Sequence, residues 1–287
     1  TGAALCAHPD IHYIDLTGGT GTGRKVAALA GERLVRTTME LGGKTPVIVC
    51  QDANLDGAIA GSLFSAFVAS GQTCVSGARF VVHSDIYDQF ITGMAARADA
   101  ITLGDPMDDS TQMGPVISQT SKDKCLRMIA QAKMDGAVQV AGAQASDLPA
   151  PFDAGYFVRP TILKDVRPDH ELFLEEVFGP VISITPYDDE AEALVLANTG
   201  TFGLGCSIWS RDISRAHRLS LGIRGGVVWL NDHHRNDPRS VWGGVRDSGF
   251  GKENGWDALK AYMTKKSVIV RTAAGHDDWF SGSNRYG

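Results

Sequence analysis

The chain has 287 residues, 43% of them apolar and 21% charged, a globular composition with room for one large α/β domain or two smaller ones. Its 27 basic residues against 33 acidic ones leave a net charge of −6, which excludes the basic footprint of a nucleic-acid binder and the polybasic patch of a membrane-surface protein, and favours small-molecule chemistry. Five widely spaced cysteines without a Cys-x-x-Cys pair specify neither a disulfide framework nor a zinc site and imply reducing, cytoplasmic surroundings, and no run reaches the roughly 18 apolar residues of a membrane helix.

Residues 11–16 read as a short strand, 17–23 as a turn rich in glycine and threonine, and 24–33 as a helix. A strand, a turn dense in backbone N–H groups and a helix start make an anion cradle, or else an ordinary tight turn; the residues alone leave both open. Glu40-Leu41-Gly42-Gly43-Lys44 follows, its two glycines permitting a tight turn or a close ligand, before a strand over 46–50. Residues 58–69 are almost all small or apolar and carry no charge, which predicts a core helix ending at Ser70-Gly71. Just past that end, Cys74 stands on a rigid support with its tip able to face a cleft, and is the candidate for chemistry. Cys6, Cys50, Cys125 and Cys206 read as small buried hydrophobes, the usual fate of a free cysteine.

Beyond Cys74 the pattern alternates. A strand over 79–83 leads to an amphipathic helix over 84–100 with Ser84 as its cap, a turn at 104–106, a helix over 118–134, a strand over 138–141 and a surface loop over 143–154. Strands over 156–163, 181–186, 205–210 and 226–231 follow, with helices over 190–198 and 214–221. Strands alternating with helices mean crossover connections and an α/β fold with a largely parallel sheet. Glu176 and Phe178 lie in a turn closed by Gly179-Pro180, where adjacent acids also suit a solvated face. The segment Asn231-Asp232-His233-His234-Arg235-Asn236 is polar and basic; its plainer reading is a solvated loop. No third ligand stands at a metal-binding spacing from His233 and His234, so no metal is expected. Residues 267–271 read as a late strand with alternating character.

Five blocks in this order carry a family resemblance: Leu16-Thr17-Gly18-Gly19-Thr20-Gly21-Thr22-Gly23; Glu40 to Lys44; Gly71-Gln72-Thr73-Cys74 with Arg79; Glu175-Glu176-Val177-Phe178-Gly179-Pro180; and Gly243-Gly244 through Ser248-Gly249-Phe250-Gly251 to Glu253 and Gly255. Together they resemble the NAD(P)-dependent aldehyde dehydrogenase superfamily across residues 10–270. The resemblance implies the end of a dinucleotide-binding domain, a Rossmann-like remnant, over 1–42. A catalytic domain with a mostly parallel sheet over 43–262 and an oligomerisation strand and tail over 263–287 would follow.

The same resemblance implies oxidation of a small aldehyde to a carboxylic acid with NAD or NADP. Cys74 would form a thiohemiacetal and then a thioester, and Glu40 would activate water to release the acid. Gly18, Gly19, Thr20 and Gly23 would lie beside the cofactor phosphates with Leu41 nearby, Glu176 on the nicotinamide ribose and Phe178 against the ring. Asn231, His233, His234 and Arg235 would border the substrate entrance. Lys44 and Arg79 would be structural salt-bridge partners, and the late strand would join a sheet across subunits of a homodimer or homotetramer. One departure is Gly19, where the family has serine, which removes a hydroxyl contact to phosphate. The family's long N-terminal part, with an oxyanion-stabilising asparagine and a lysine near the adenosine, does not precede Thr1, so the chain resembles the C-terminal part of a member and alone is expected to hold NAD(P) weakly. Two other functions stay open: a cofactor-independent thiol esterase using Cys74 and Glu40, and a catalytically silent structural homologue.

Overall fold

The computed structural model describes residues 1–142, 148, 150–272, 274, 275 and 280. Along the chain run α1 (Gly2–Ala7), β1 (Tyr13–Thr17), α2 (Thr20–Glu32), β2 (Arg36–Glu40), β3 (Thr45–Val49), α3 (Leu55–Phe67), β4 (Gly77–His83), α4 (Tyr87–Asp99), α5 (Gln119–Met134) and β5 (Val138–Ala141). They continue with β6 (Thr161–Lys164), α6 (Glu171–Leu174), β7 (Val181–Tyr187), α7 (Glu190–Asn198), β8 (Gly205–Trp209), α8 (Ile213–Gly222), β9 (Val227–Leu230), β10 (Gly249–Phe250) and α9 (Gly255–Ala261).

Seven strands form one sheet in the order β5-β6-β7-β4-β3-β8-β9, every neighbouring pair parallel except β5 with β6 at one edge. The mostly parallel α/β sheet expected from the alternation is therefore present. All five residues of β3 are buried, because successive side chains point to opposite faces and both faces are covered. Val47 and Val49 join Phe80, Val82, Ala58, Ile59, Phe90 and Met94 under α3 and α4. Ile48 joins Val81, Cys125, Met128, Leu196 and Leu219 under α5, α7 and α8. Full burial of each such side chain is worth roughly 1.5–3 kcal/mol, so the two apolar layers hold the sheet from both sides.

Side-chain caps start the helices that cover it. Asn54 accepts from the Gly57 N–H, Ser118 from Ser121, Asp189 from Glu192, and Asp212 from both Ser214 and Arg215. The cap expected at Ser84 is displaced: residues Ser84–Ile86 form a 3-10 turn in which His83 Nδ1 accepts from the Asp85 N–H, and α4 begins only at Tyr87. The strand expected over 156–163 is confined to Thr161–Lys164; Pro160, which has no N–H to give a ladder, precedes it. Residues 267–271 make no ladder within the described chain and expose Val268, Ile269 and Val270 to 78, 94 and 73%. The surface loop over 143–154 and the tail end of 263–287 lie partly outside the described residues. Among the described residues no helix is long and apolar enough to cross a membrane.

A second, three-stranded sheet has β2 at its centre, with β1 parallel on one side and β10 antiparallel on the other. Its register sets Thr17 opposite Glu40 in β1 and Gly249 opposite Glu40 in β10. Sequence reading missed β2 and β10. Arg36-Thr37-Thr38-Met39-Glu40 has too few apolar residues to announce a strand, and a two-residue strand has no periodicity to read.

Among the described residues, two buried basic side chains, Lys44 and Arg79, lack the salt bridges expected of them, and the Lys44 Nζ has no hydrogen-bond partner. Arg79 on β4 is 2% exposed; its Nη1 donates to Thr199 O at 2.6 Å and its Nη2 to Ala197 O at 2.8 Å, and its guanidinium lies 5.0 Å from the centre of the Phe173 ring. It thus caps the last carbonyls of α7, where the helix dipole favours a cation. Burial, followed by the Arg79 charge, pushes the Lys44 ammonium down to about 7. Replacing Arg79 by methionine, which keeps most of the stem but no donor, is expected to cost about 3 kcal/mol in a denaturant unfolding experiment, because two buried carbonyls lose their partner. A loss below about 1 kcal/mol would show that α7 ends without this cap.

Candidate functional site

The helix before Cys74 stops earlier than its composition predicts. α3 closes at Phe67, and Ala69, Ser70 and Gly71 then take positive φ of 52°, 57° and 69°. Consecutive left-handed residues are costly for side chains with a Cβ, so the turn must be held by its surroundings. Ser70 Oγ donates to Gly114 O at 2.9 Å, and Gln72 Oε1 accepts from the Ile117 N–H at 2.8 Å. This turn leads to Cys74, which is half-buried against the small cluster of Val75, Leu204 and Trp229.

Opposite it, the turn after β2 comes in very close. A Cβ on Gly43 would overlap the backbone carbonyl of Cys74, so glycine is what lets these two stretches touch. The Gly43 N–H donates to Glu176 Oε1 at 2.9 Å, which binds the third stretch to the same place. Together Thr17, Gly18, Gly19, Leu41, Gly42, Gln72, Thr73, Cys74, Glu176 and Phe178 line a cleft of about 560 Å³. Of the residues singled out from sequence, Gly18, Gly19, Leu41, Glu176, Phe178 and Cys74 meet there. Thr20 and Gly23 do not line it. They belong to the first turn of α2, which begins four residues before the helix expected at 24, with Gly19 as its N-cap. Thr20 Oγ1 donates to Asp247 O at 3.0 Å, and Gly23 gives Leu41 room to pack on the helix.

Glu40 sits behind this surface, 3% exposed, and neither of its carboxylate oxygens has a hydrogen-bond partner. Burial pushes its pKa up to about 7; the Glu253 charge adds to the rise and Lys252 opposes it. The carboxylate occupies space that only glycine leaves open, since a Cβ on Gly243, at φ 137°, would run into Oε1. The Cys74 thiol is pushed above its ordinary range by burial and then by the negative charges of Glu176 and Glu40, which places both acids in its field. The Cys74 and Val75 N–H groups oppose that rise. Burial raises Glu176 too, against the pull of its bond from Gly43.

The four residues expected at the substrate entrance divide. Asn231 spends its amide on the Ser210 backbone, accepting from N–H and donating to the carbonyl, both at 2.9 Å. The Arg235 side chain is largely exposed and pairs with Asp232 at 2.7 Å. His233 and His234 turn to the Cys74 loop instead: His233 Nε2 lies 2.8 Å from Val75 O, and His234 Nε2 lies 3.3 Å from Thr73 Oγ1. Sequence reasoning missed the seat that Gly243 gives Glu40 and the tie made by Ser248, whose hydroxyl donates to Gly42 O at 2.7 Å and accepts from the Gly203 N–H at 3.0 Å. Both stood in a quoted block, but nothing local in sequence says that residues 243–248 lie against 40–42.

The thiol and the glycine-lined wall share one cleft, the buried acid lies behind it, and the chain as a whole is similar to known proteins. The chain matches the aldehyde dehydrogenase family over residues 1–268. It is 40% identical over 270 residues to a betaine aldehyde dehydrogenase of Rhizobium leguminosarum bv. trifolii (strain WSM2304), covering 94% of this chain and 55% of that protein. It is 39% identical over 273 residues to a 4-trimethylaminobutyraldehyde dehydrogenase of Oryzias latipes, covering 95% and 54%. The fold superposes on betaine aldehyde dehydrogenase from Staphylococcus aureus in complex with NAD+ with a TM-score of 0.93 at 33% identity, covering 98% of this chain and 55% of that one. It superposes on PnpE from Pseudomonas sp. WBC-3 with a TM-score of 0.93 at 38% identity, covering 97% and 57%. The chain spans about half the length of the curated relatives it matches.

Proposed function

The chain belongs to the aldehyde dehydrogenase family, and from that membership we propose that it carries the nucleophile, the base and the nicotinamide-facing wall for oxidising an aldehyde to a carboxylic acid with NAD or NADP. The observation that carries this reading is the meeting of Cys74, Glu176 and the Gly18-Gly19 turn in one cleft, with an unpartnered, half-ionising Glu40 in the field of the thiol.

The cleft fits a dinucleotide in its chemistry. Gly19 caps the thirteen-residue α2 with no side-chain hydrogen bond, and a Cβ there would meet nothing, so the start of the helix is left open for an anion. Glu176 is pinned from Gly43 at the cleft wall, where a carboxylate would hold ribose hydroxyls, and Phe178 offers an exposed ring. When bound, the oxidised nicotinamide supplies the hydride acceptor. Cys74 adds through its thiolate to the aldehyde carbon to give a thiohemiacetal, and loss of hydride from that carbon leaves a thioester on the sulfur. Glu40, ionised above about pH 7, takes a proton from the water that attacks the thioester; the acid leaves and the thiolate returns.

The NAD+ bound by the Staphylococcus aureus neighbour supports the cofactor part of this reading, and the names of the relatives support an aldehyde substrate. By the same reading residues 1–42 end a dinucleotide-binding domain, 43–262 form the catalytic domain, and the exposed run Val268–Val270 pairs with a second copy in a homodimer or homotetramer. The experiment is to mix the chain with saturating NAD or NADP, as the weak binding expected of it alone requires, and a panel of aldehydes, following nicotinamide absorbance and the mass of the Cys74 peptide. Cofactor reduction tied to acylation of Cys74 supports the proposal; acylation of another residue overturns it.

A further inference from the structure

The loop after β9 reaches the residues on either side of the nucleophile, and two adjacent histidines make the contact. A carbonyl only accepts, so the 2.8 Å approach of His233 Nε2 to Val75 O fixes a proton on that nitrogen. In the neutral ring Nδ1 is then bare and accepts the hydroxyl of Ser207 on β8. Ser207 belongs to a fully buried strand bonded to β3 and β9, so His233 runs from the rigid sheet to the residue after Cys74. Its ring lies against Trp229, centroids 4.8 Å apart, and burial holds it neutral with a pKa near about 4. His234 takes the other side. It shares a hydrogen bond with Thr73 Oγ1 at 3.3 Å and meets the edge of Phe64 at 5.6 Å between centroids, so α3 supports it. Holding His234 there requires a positive φ of 64°, a conformation that the surroundings must impose.

We propose that His233 and His234 are positioning residues: a two-pronged clamp from the β9 loop that grips Val75 and Thr73 and thereby fixes the direction in which the Cys74 sulfur points. The inference rests on Cys74 as the nucleophile proposed above. Neither ring gives or takes a proton in the reaction; each sets the backbone on one side of the reactive sulfur. Without the His233 prong the Val75 carbonyl loses its buried donor, and the residue after Cys74 loses its side-chain tie to β8 through Ser207.

The test reads the sulfur directly, in the 287-residue chain, as the second-order rate of alkylation of Cys74 by iodoacetamide, with buried Cys125 and Cys206 as internal references. Glutamine places its amide N–H where Nε2 stands and asparagine where Nδ1 stands, so His233→Gln keeps the donor to Val75 and His233→Asn does not. We expect His233→Asn and His233→Leu to slow alkylation of Cys74 at least about fivefold with the reference thiols unchanged, and His233→Gln to stay within about twofold of the parent. Ser207→Ala, which removes only the anchor of the ring, should fall between them and keeps the comparison open should His233→Leu fail to fold. The proposal is overturned by an unchanged or faster Cys74 rate in His233→Asn, by a glutamine variant as slow as asparagine, or by reference thiols that change in parallel, which would mark general loosening. These outcomes do not depend on aldehyde turnover, so failure of the dehydrogenase reading would appear separately, as absent nicotinamide reduction with the alkylation ratios intact.

Discussion

Cys74→Ala is expected to abolish aldehyde-dependent reduction of nicotinamide, a loss of at least about 10⁴-fold, while the unfolding midpoint barely moves. The two effects separate because the side chain is small and only half-buried, so its truncation costs on the order of 1 kcal/mol or less. Cys6, partly exposed on α1, lies outside the residues that line the cleft, and the other three thiols are closed off by burial. Cys125 is fully buried and its thiol is pushed up to about 11 by burial, Cys206 is pushed higher still, and Cys50, about 11, lies 1% exposed at the end of β3. A nucleophile needs its thiolate, and burial withholds it from all three. The check is single-turnover absorbance with mass spectrometry of the protein after quenching. Residual turnover above about one part in a thousand, with an acyl group on a second residue, would remove Cys74 from the mechanism.

Glu40→Gln should have an effect nearly as large but at a later step. Formation of the thioester is retained, its hydrolysis falls by roughly 10²- to 10⁴-fold, and acylated Cys74 accumulates. In the parent, hydrolysis rises with pH through about 7, as the carboxyl ionises, and levels above; in the variant that rise is absent. Stability moves the other way. The folded carboxyl titrates about 7 against 4.5 unfolded, so the native state binds the extra proton and loses stability as pH rises from about 4.5 to about 7. The whole shift corresponds to roughly 3 kcal/mol at most. Glutamine carries no such charge, so the variant should gain on the parent over that window, most at about pH 8. Urea unfolding at two pH values reads the gain. A variant that hydrolyses the thioester at the parental rate would exclude Glu40 as the base.

How much of this was legible in sequence follows from the range over which each signal acts. The continuous apolar run 46–50 reads as a strand, and β3 covers Thr45–Val49 with both faces buried. Helix ends were less readable, because they turn on which cap wins. At α4 the His83 ring is bonded to the Asp85 N–H and postpones the helix, and at α3 a left-handed turn ends it two residues before its apolar composition does. Block order brought Cys74, Glu176 and Gly18 to mind together, and the structure places them around one cleft. Residue type alone gave no hint that Asn231 would be absorbed by Ser210 while His233 and His234 grip the Cys74 loop, since all three are polar loop residues whose partners lie on other elements. The expected ion pair of Arg79 failed for the same reason, whereas the Lys44 Nζ is buried with no partner among the described residues. Charge suggests a counter-charge, but the helix end over Arg79 offers carbonyls, which satisfy a guanidinium as well.

The pairing of Gly249 with Glu40 has a consequence for how the molecule comes into being. Contacts between residues so far apart in sequence close late, because the loop between them must first surrender its freedom, and during synthesis the outer strand is made long after its partner. Through most of that interval the thiol loop already has its neighbours β3 and β4, whereas the acid on β2 lacks both the outer strand and the glycine seat at Gly243. A nascent chain would therefore hold the thiol of Cys74 before the carboxylate of Glu40 is seated. On the proposed reading, nucleophile and base are brought into register only when β10 closes on β2, so the site is completed in one late step and not assembled piecemeal.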